Sequence, residues 1–378
     1  LMISARDLDG LLAWKASEGQ SILSLYLDRK TATGFWSAVD LTTVVKGLVK
    51  ELEASVVEAE RDALNNALQK AVAAATEGTW SGRCLIVFSP SGGGASWSRD
   101  LNVPVAALAR WGPTPYLRPL LEAIGEYERY GVVLTDKMRA RLFTIFLGEI
   151  EEERDAFNPE MVKRFASTGS DQARTMNLQR RSEEHARRHW KHVAAMLDRM
   201  ERERRFDRLI LGGPPEDVSE LRRLIPKRLA SRIAGVVNLP VEASANDVRK
   251  GTLEIELQAQ RSRQEESIQE LETAAAKENR AAAGLPRTLE ALREGRVWRL
   301  LYADRLSLPG GECNDCGSLL EGPVERCPYC NGTTHPIEDL VGRMAERTAE
   351  SGGRIEPVNG VLAERLKKIG GIGAFLRF

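Results

Sequence analysis

The sequence predicts a mixed α/β protein of several domains, and three observations lead to this prediction. A chain of 378 residues is longer than one hydrophobic core usually serves, so two or three domains are expected. Segments with the spacing of strands alternate with helical segments along the chain, which is typical of largely buried sheets covered by helices. Four of the five cysteines lie within 18 positions and indicate a small metal-binding insert.

The predicted fold class is therefore α/β (α+β) and multidomain, with three α/β domains, the last carrying a zinc-ribbon insert. We place the domains at residues 1–128, 129–274 and 275–378, with the ribbon at residues 309–335. A charged helical segment from Val248 to about Arg280 joins the second domain to the third.

The first domain is predicted to contain two strands and a helical region. Ser21–Asp28 alternates apolar and polar residues, as a strand does, and Arg83–Ser89 has the pattern of a buried strand. Leu41 to Thr76 has helical spacing and is expected to form two helices, and Pro113–Glu128 completes the unit. The Gly-rich turn Ser91–Gly94 does not end in Gly-Lys-Ser/Thr, so a plain loop is favoured over a phosphate-binding loop.

The second domain is predicted to contain short strands, a loop and a long helix. The helix is expected from Arg174 to Arg205, because apolar residues recur there at steps of three and four and form one stripe. A loop is expected at Lys163–Gln172. The predicted strands are Tyr130–Leu134, Arg139–Leu147, Glu149–Phe157, Asp207–Leu211 and Ile233–Val237.

The third domain is predicted to alternate strands and helices around the cysteine region. Strands are expected at Val297–Tyr302, Arg354–Val358 and Gly373–Phe378, and helices at Pro336–Ser351 and Val361–Lys368.

The composition sets limits on partners and compartment. Lys+Arg and Asp+Glu both number 54, so any RNA binding must come from local patches rather than from a global charge. No run of 18 apolar residues occurs, and residues 1–10 lack the apolar region of a signal peptide, so no membrane partner and a cytoplasmic location are expected. The cysteines do not resemble a disulfide framework, and Cys84 is expected to be a buried small hydrophobe.

The clustered cysteines have the pattern C-x2-C, ten residues, then C-x2-C. A turn-forming residue follows each pair, Gly317 and Asn331, so the backbone can turn back and donate N–H groups to sulfur. Four thiolates at tetrahedral corners form a closed site for structural Zn2+ without a catalytic position. Cys-Pro-Tyr-Cys alone resembles a glutaredoxin motif, but a redox pair should open a helix and needs no second pair. His335 is a further candidate ligand. The predicted zinc ligands are Cys313, Cys316, Cys327 and Cys330.

The first half of the long helix is basic. Cations near a helix N-terminus oppose the macrodipole, and an anionic partner such as RNA phosphate would explain their placement. A solvated helix face is the alternative interpretation. His185 and His189 are spaced i, i+4 and could instead share a metal ion. The predicted RNA-binding residues are Arg174, Arg180, Arg181, Arg187, Arg188, His189 and Lys191.

Four stretches resemble the archaeo-eukaryotic class-one peptide release factors, in the same order and with similar spacing. The chain therefore resembles a bacterial member of this family, which includes Pelota, over roughly residues 129–378. The inserted zinc ribbon is also a feature of the family. The stretches are YGVVLTD from Tyr130, GSDQAR from Gly169 with the basic helix after it, REGRV from Arg293, and GGIGAFLRF from Gly370.

The resemblance implies a function on the ribosome. In the family the middle domain reaches the peptidyl transferase centre, where a Gly-Gly-Gln loop places the water that attacks the ester between peptide and tRNA. Gln172 matches the glutamine of this motif and Gly169 lies in the same loop, so the resemblance makes them the candidate catalytic residues. The N-terminal domain of the family reads the stop codon through an Asn-Ile-Lys-Ser motif, and the C-terminal domain recruits a translational GTPase. The implied partners are the ribosome, through rRNA at its A site, and such a GTPase.

Two departures from the family pattern bear on this function. Residues 1–128 contain no Asn-Ile-Lys-Ser, and the segment Thr43–Lys46 is no substitute. Ser170 and Asp171 stand where the family has two glycines, and a Cβ at such positions makes a left-handed backbone or a close approach costly. Asp171 also adds negative charge where RNA phosphates crowd.

Three hypotheses follow. In the first, favoured here, the protein occupies the A site of stalled or idle ribosomes without reading a codon, in hibernation or rescue. In the second it hydrolyses peptidyl-tRNA through Gln172. In the third it is an RNA-binding adaptor unrelated to peptide release. The loss of the glycines separates the first two, and ribosome binding separates both from the third.

Overall fold

The computed structural model of the protein describes residues 3, 5–17, 19–31, 34–35, 37–54, 56–157, 172–276 and 280–378. It contains two compact units, one formed by Leu1–Glu126 together with Arg263–Phe378, and one by Tyr127–Ser262. The predicted mixed α/β, multidomain fold is confirmed. Among the helices of these described ranges, none is long and apolar enough to cross a bilayer.

The N-terminal part of the first unit is a four-stranded antiparallel sheet in the order β5-β4-β1-β6. Ser37 begins α2 with a reciprocal capping box, in which its hydroxyl accepts from the Asp40 N–H and its own N–H donates to the Asp40 carboxylate. One face of the sheet packs on α2 and α3 around a core that includes Leu25, Val45 and Val87. The elements are α1 (Ala5–Ala13), β1 (Ile22–Asp28), β2 (Lys30–Thr31), β3 (Gly34–Phe35), α2 (Ala38–Glu53), α3 (Arg61–Glu77), β4 (Cys84–Pro90), β5 (Trp97–Leu101), β6 (Leu108–Gly112) and α4 (Arg118–Glu126).

The predictions for this part are confirmed for the two strands and the helix pair. The sequence analysis missed α1, β5 and β6. The two strands at the edges of the sheet are half-exposed over most of their length and lack a clean apolar alternation. Burial raises the pKa of the Cys84 thiol to about 12, which agrees with the predicted role as a small core residue.

The C-terminal part of the first unit is a four-stranded sheet in the order β12-β18-β13-β17. Helix α4 packs directly on β17: a Cβ at Gly125 would lie 1.8 Å from the Ile355 carbonyl oxygen, so only glycine permits this approach. The elements are β12 (Ala281–Ala283), α9 (Leu285–Arg293), β13 (Val297–Ala303), β14 (Gly310–Cys313), β15 (Leu319–Glu321), β16 (Thr334–Ile337), α10 (Leu340–Glu350), β17 (Arg354–Val358), α11 (Gly360–Lys367) and β18 (Ile372–Leu376).

One predicted element boundary in this region is wrong. The helix expected from Pro336 begins at Leu340, because Thr334–Ile337 pairs with Gly310–Cys313 as the outer strand of a three-stranded ribbon. The other predicted strands and helices of this part are confirmed within two residues, while β12 and α9 were missed.

The second unit is a five-stranded mixed sheet in the order β11-β10-β7-β8-β9. Strand β10 is parallel to β7 and β11, whereas β7, β8 and β9 form an antiparallel meander. The elements are β7 (Tyr130–Thr135), β8 (Arg139–Phe146), β9 (Glu149–Phe157), α5 (Gln172–Arg204), β10 (Arg208–Gly212), α6 (Pro215–Leu224), α7 (Lys227–Ala230), β11 (Ile233–Val237) and α8 (Ala245–Ala276), whose second half belongs to the first unit.

The apolar stripe predicted on the long helix is confirmed. Its members are all buried and pack against Leu142, Phe206 and Leu211 on one side of the sheet. This contact fixes the helix against the sheet and thereby decides which of its other residues face solvent. The stripe consists of Ala186, Trp190, Val193, Leu197 and Met200.

Candidate functional site

The four clustered cysteines converge on one point. Their Sγ atoms all lie within 4.8 Å of one another. The Sγ atoms of Cys313 and Cys330 are 3.4 Å apart, and those of Cys316 and Cys327 are 3.6 Å apart. A tetrahedral Zn2+ with Zn–S bonds of about 2.3 Å places its sulfurs about 3.8 Å apart, so this donor set fits a zinc ion.

Two tight turns bring the sulfurs together. Each first cysteine accepts a backbone hydrogen bond from the residue after its pair: Gly317 N–H donates to Cys313 O at 3.0 Å, and Asn331 N–H to Cys327 O at 2.9 Å. Both donors have a left-handed backbone, with φ of 67° and 59°, which explains why glycine and asparagine stand there. No helix follows the second pair, so this turn lacks the geometry of a redox motif at a helix start.

His335 is not part of the sulfur cluster. Its Nδ1 atom lies 2.8 Å from Oδ1 of Asn314, the residue that follows the neighbouring strand β14. The group of metal-ligand atoms found together in the described ranges consists of the four cysteines alone. Four thiolates close the coordination sphere, so a zinc ion here would hold the ribbon together rather than bind a substrate.

The ribbon is fastened to helix α10 by a carboxylate beside the first cysteine. Glu312 Oε2 accepts from Arg343 Nε at 2.9 Å, and Glu312 Oε1 accepts from Arg347 Nη2 at 2.9 Å. Burial alone would raise the pKa of Glu312, but the two guanidinium groups hold it below the usual range. Arg347 also donates to the Gly317 carbonyl in the first turn. The sequence analysis missed these three side chains, because no local pattern marks a pairing between residues more than 30 positions apart.

We expect purified protein to contain about one zinc ion per chain. Replacing Cys313 and Cys316 by serine should abolish zinc binding and unfold the ribbon locally, since metal binding supplies folding free energy of roughly 10 kcal/mol in such small sites. Metal analysis of protein made under reducing, chelator-free conditions measures this. Cys84→Ala, which removes a buried thiol outside the cluster, should keep its zinc. Wild-type protein without zinc would contradict the four-thiolate site.

The predicted RNA-binding residues of helix α5 differ in their exposure to solvent. Arg187, Arg188 and Lys191 are exposed, and Arg188 forms a long ion pair with Glu184, at 3.8 Å between exposed side chains. Such a pair contributes little and leaves the guanidinium available to an anion. These three cations lie along one segment of the helix, next to the buried stripe that fixes its orientation.

The burial of His189 does not agree with the predicted contact with RNA. Its side chain is 6% exposed, and its Nε2 atom is buried without a hydrogen-bond partner in the described ranges. Burial lowers the pKa of the His189 imidazole and so disfavours the charged ring that a phosphate contact would use. The sequence contains a signal for this burial. His189 follows Ala186 by three residues and precedes Val193 by four, so it borders the apolar stripe.

The remaining predicted loop and helix contacts lie outside what the structure describes. Gly169 falls in residues 158–171, which are not among the described residues. Helix α5 begins at Gln172, but no side chain is described for residues 172–182, which include Arg174, Arg180 and Arg181. The catalytic role of Gln172 therefore stays a prediction.

The second unit carries a long helix with exposed cations, and the C-terminal part of the first unit carries a ribbon with four clustered cysteines. Residues 115–257 match the bacterial archaeo-eukaryotic release factor family 10. This range contains the whole five-stranded sheet and helix α5. The resemblance predicted from the sequence is confirmed. No curated protein sequence matches the chain.

Solved structures with low identity are similar to the chain. An archaeal translation termination factor, aRF1, is 18% identical over 100% of this chain and 99% of that one, with a TM-score of 0.28. Pelota from Archaeoglobus fulgidus is 18% identical over 78% and 79% of the two chains, with a TM-score of 0.34. S. cerevisiae Dom34, described as a translation termination-like factor interacting with Hbs1, is 13% identical over 75% and 73%, with a TM-score of 0.43.

Proposed function

We propose that the protein is a ribosome-associated translation factor that occupies the A site of stalled or idle ribosomes without reading a stop codon. The observation that carries the proposal is the family match over residues 115–257, which spans the unit bearing the basic helix. In this role the protein acts in the cytoplasm, in hibernation or rescue. The three-domain division at residues 128 and 274 belongs to the same proposal, with the first domain as a divergent counterpart of the decoding domain.

Contact with rRNA would come from helix α5. Its exposed cations Arg187, Arg188 and Lys191 supply the local positive charge that a chain with 54 acidic and 54 basic residues does not provide globally. Phosphate contacts position a protein on RNA without reading its sequence. That kind of contact suits a factor that recognises a ribosomal site rather than a codon.

The loop before α5 would reach the peptidyl transferase centre without efficient catalysis. Ser170 and Asp171 replace the two family glycines, so each brings a Cβ where the backbone needs freedom, and Asp171 brings a negative charge. Water attack on the ester depends on placement to well under an ångström. Loss of that placement lowers the rate without removing the protein from the A site.

An active peptidyl-tRNA hydrolase is the second candidate function. It is favoured by Gln172, which stands at the position of the family's catalytic glutamine and opens helix α5. On either reading, the resemblance implies a translational GTPase as a partner of the C-terminal domain. The four-cysteine ribbon in that domain would provide a binding surface, with Zn2+ in a structural role.

Co-sedimentation with 70S ribosomes tests the proposed function. At low salt, protein should pellet with ribosomes at close to one copy per particle, and it should dissociate as salt rises because phosphate contacts release counterions. Protein centrifuged without ribosomes is the control for aggregation. Protein that stays in the supernatant with empty, stalled and idle ribosomes alike would leave only the RNA-adaptor hypothesis.

A further inference from the structure

The second unit contains a cleft of about 790 Å³, of whose lining residues the proposed function uses only Arg187. It lies between the β7–β8 turn, helix α5 and the first turns of α6, and the buried ring of Trp190 lines its wall. Lys137 and Arg187 line it together with five carboxylates, two of which pair with cations beside the cleft: Glu184 with Arg188, and Glu220 with Arg223. We call it the acidic cleft. Its carboxylates belong to Glu183, Glu184, Glu216, Asp217 and Glu220.

Asp217 distinguishes the acidic cleft from an ordinary solvated acidic surface. Its side chain is 5% exposed, yet in the described part of the chain no group donates a hydrogen bond to it or forms an ion pair with it. Burial raises the pKa of Asp217, against the opposing effect of the Lys137 charge. Because Asp217 lines the cleft, a cationic ligand bound there would supply the partner that the described residues do not.

The arrangement of the carboxylates limits the kind of ligand. Among the described residues, the cysteine cluster is the one group of three or more side chains placed to share a metal ion. The carboxylates of the acidic cleft therefore do not converge on a single ion. The volume lies in the range of sites that hold small organic ligands. Spaced carboxylates match a ligand whose positive charges are spaced as well.

We propose that the acidic cleft binds an extended organic cation, with ammonium or guanidinium groups spaced along a flexible chain and Asp217 as the buried anchor. Two sources share this chemistry: a free polyamine, and a peptide segment rich in lysine or arginine. The proposal does not rest on ribosome binding, because its anchor is Asp217 rather than Arg187, which lines the same cleft and is proposed to contact rRNA.

Calorimetric titration of the full chain with spermidine, and separately with a capped Lys-Ala repeat peptide of eight residues, tests the proposal. Asp217→Asn should weaken binding by about 10- to 100-fold, the usual effect of losing a charge-assisted hydrogen bond. The variant should be at least as thermally stable as wild type, because burial disfavours the charge that it removes. Glu254→Gln, which removes an exposed charge of the same unit outside the cleft, should bind like wild type.

The two ligands distinguish the sources. Asp217-dependent binding of spermidine but not of the peptide supports a polyamine site, and the reverse supports a peptide site. Three results would overturn the proposal: no binding of either probe, equal losses in Asp217→Asn and Glu254→Gln, or Asp217-dependent binding of Mg2+ alone.

Discussion

Replacing Arg187, Arg188 and Lys191 by alanine is expected to weaken ribosome binding by roughly 10- to 100-fold near physiological salt. Each exposed cation that contacts a phosphate releases about 0.7 to 0.9 counterions, so the slope of log affinity against log salt should flatten by about 2 to 3 for the triple variant. Sedimentation at several salt concentrations measures both quantities. The fold should be retained, because all three side chains lie in solvent and outside the buried stripe.

A matched variant tests whether position or total charge matters. Arg222, Arg223 and Lys227 are exposed cations of the same unit, on helices α6 and α7. Their replacement by alanine removes the same charge but should leave the slope nearly unchanged. Equal slopes for wild type and both triple variants would mean that the α5 cations are only solvated surface.

Wild-type protein is expected to release little or no peptide from stalled ribosomal complexes, and Gln172→Ala should bind ribosomes like wild type. The physical reason is that the side chains of Ser170 and Asp171 restrict the loop before the glutamine. Hydrogen-bond donors in a release site raise the rate by on the order of a hundredfold or more only when they are correctly placed. Restoring glycine at both positions, as Ser170→Gly with Asp171→Gly, should raise release by removing two Cβ constraints and a negative charge. Release of labelled peptide from purified stalled complexes measures each variant.

The double glycine variant needs its own control. Gln172→Ala added to it should return release to background if the glutamine is the group that acts. Release by the natural sequence that disappears in Gln172→Ala would contradict the favoured function and establish the hydrolase instead.

Local spacing predicted the features that depend on local geometry. The convergence of the four cysteines follows from two C-x2-C pairs, because each turn is built within six residues and only the pairing of the two turns is long-range. The orientation of helix α5 follows from apolar residues at steps of three and four, which one face of a helix requires. The same periodicity shows that His189 borders the buried stripe, although its residue type favoured an exposed contact.

Features made by distant segments could not be predicted. The residues around Asp217 come from a strand turn and two helices, and no spacing in the sequence brings them together. Thr334–Ile337 likewise pairs with β14 instead of continuing the predicted helix, because strand partners 21 to 27 residues away decide which backbone groups are hydrogen-bonded. The ion pairs of Glu312 with α10 have the same origin.

Competition for the A site tests the central claim most directly. Ribosomes with tRNA in the P site would be prepared with the A site either empty or filled with aminoacyl-tRNA, and the bound protein measured by sedimentation at matched salt. We expect the protein to bind ribosomes whose A site is empty. On ribosomes whose A site is filled, its binding should fall to the level of the α5 triple variant. Equal binding to both states would show that the protein uses another ribosomal surface and would contradict A-site occupation.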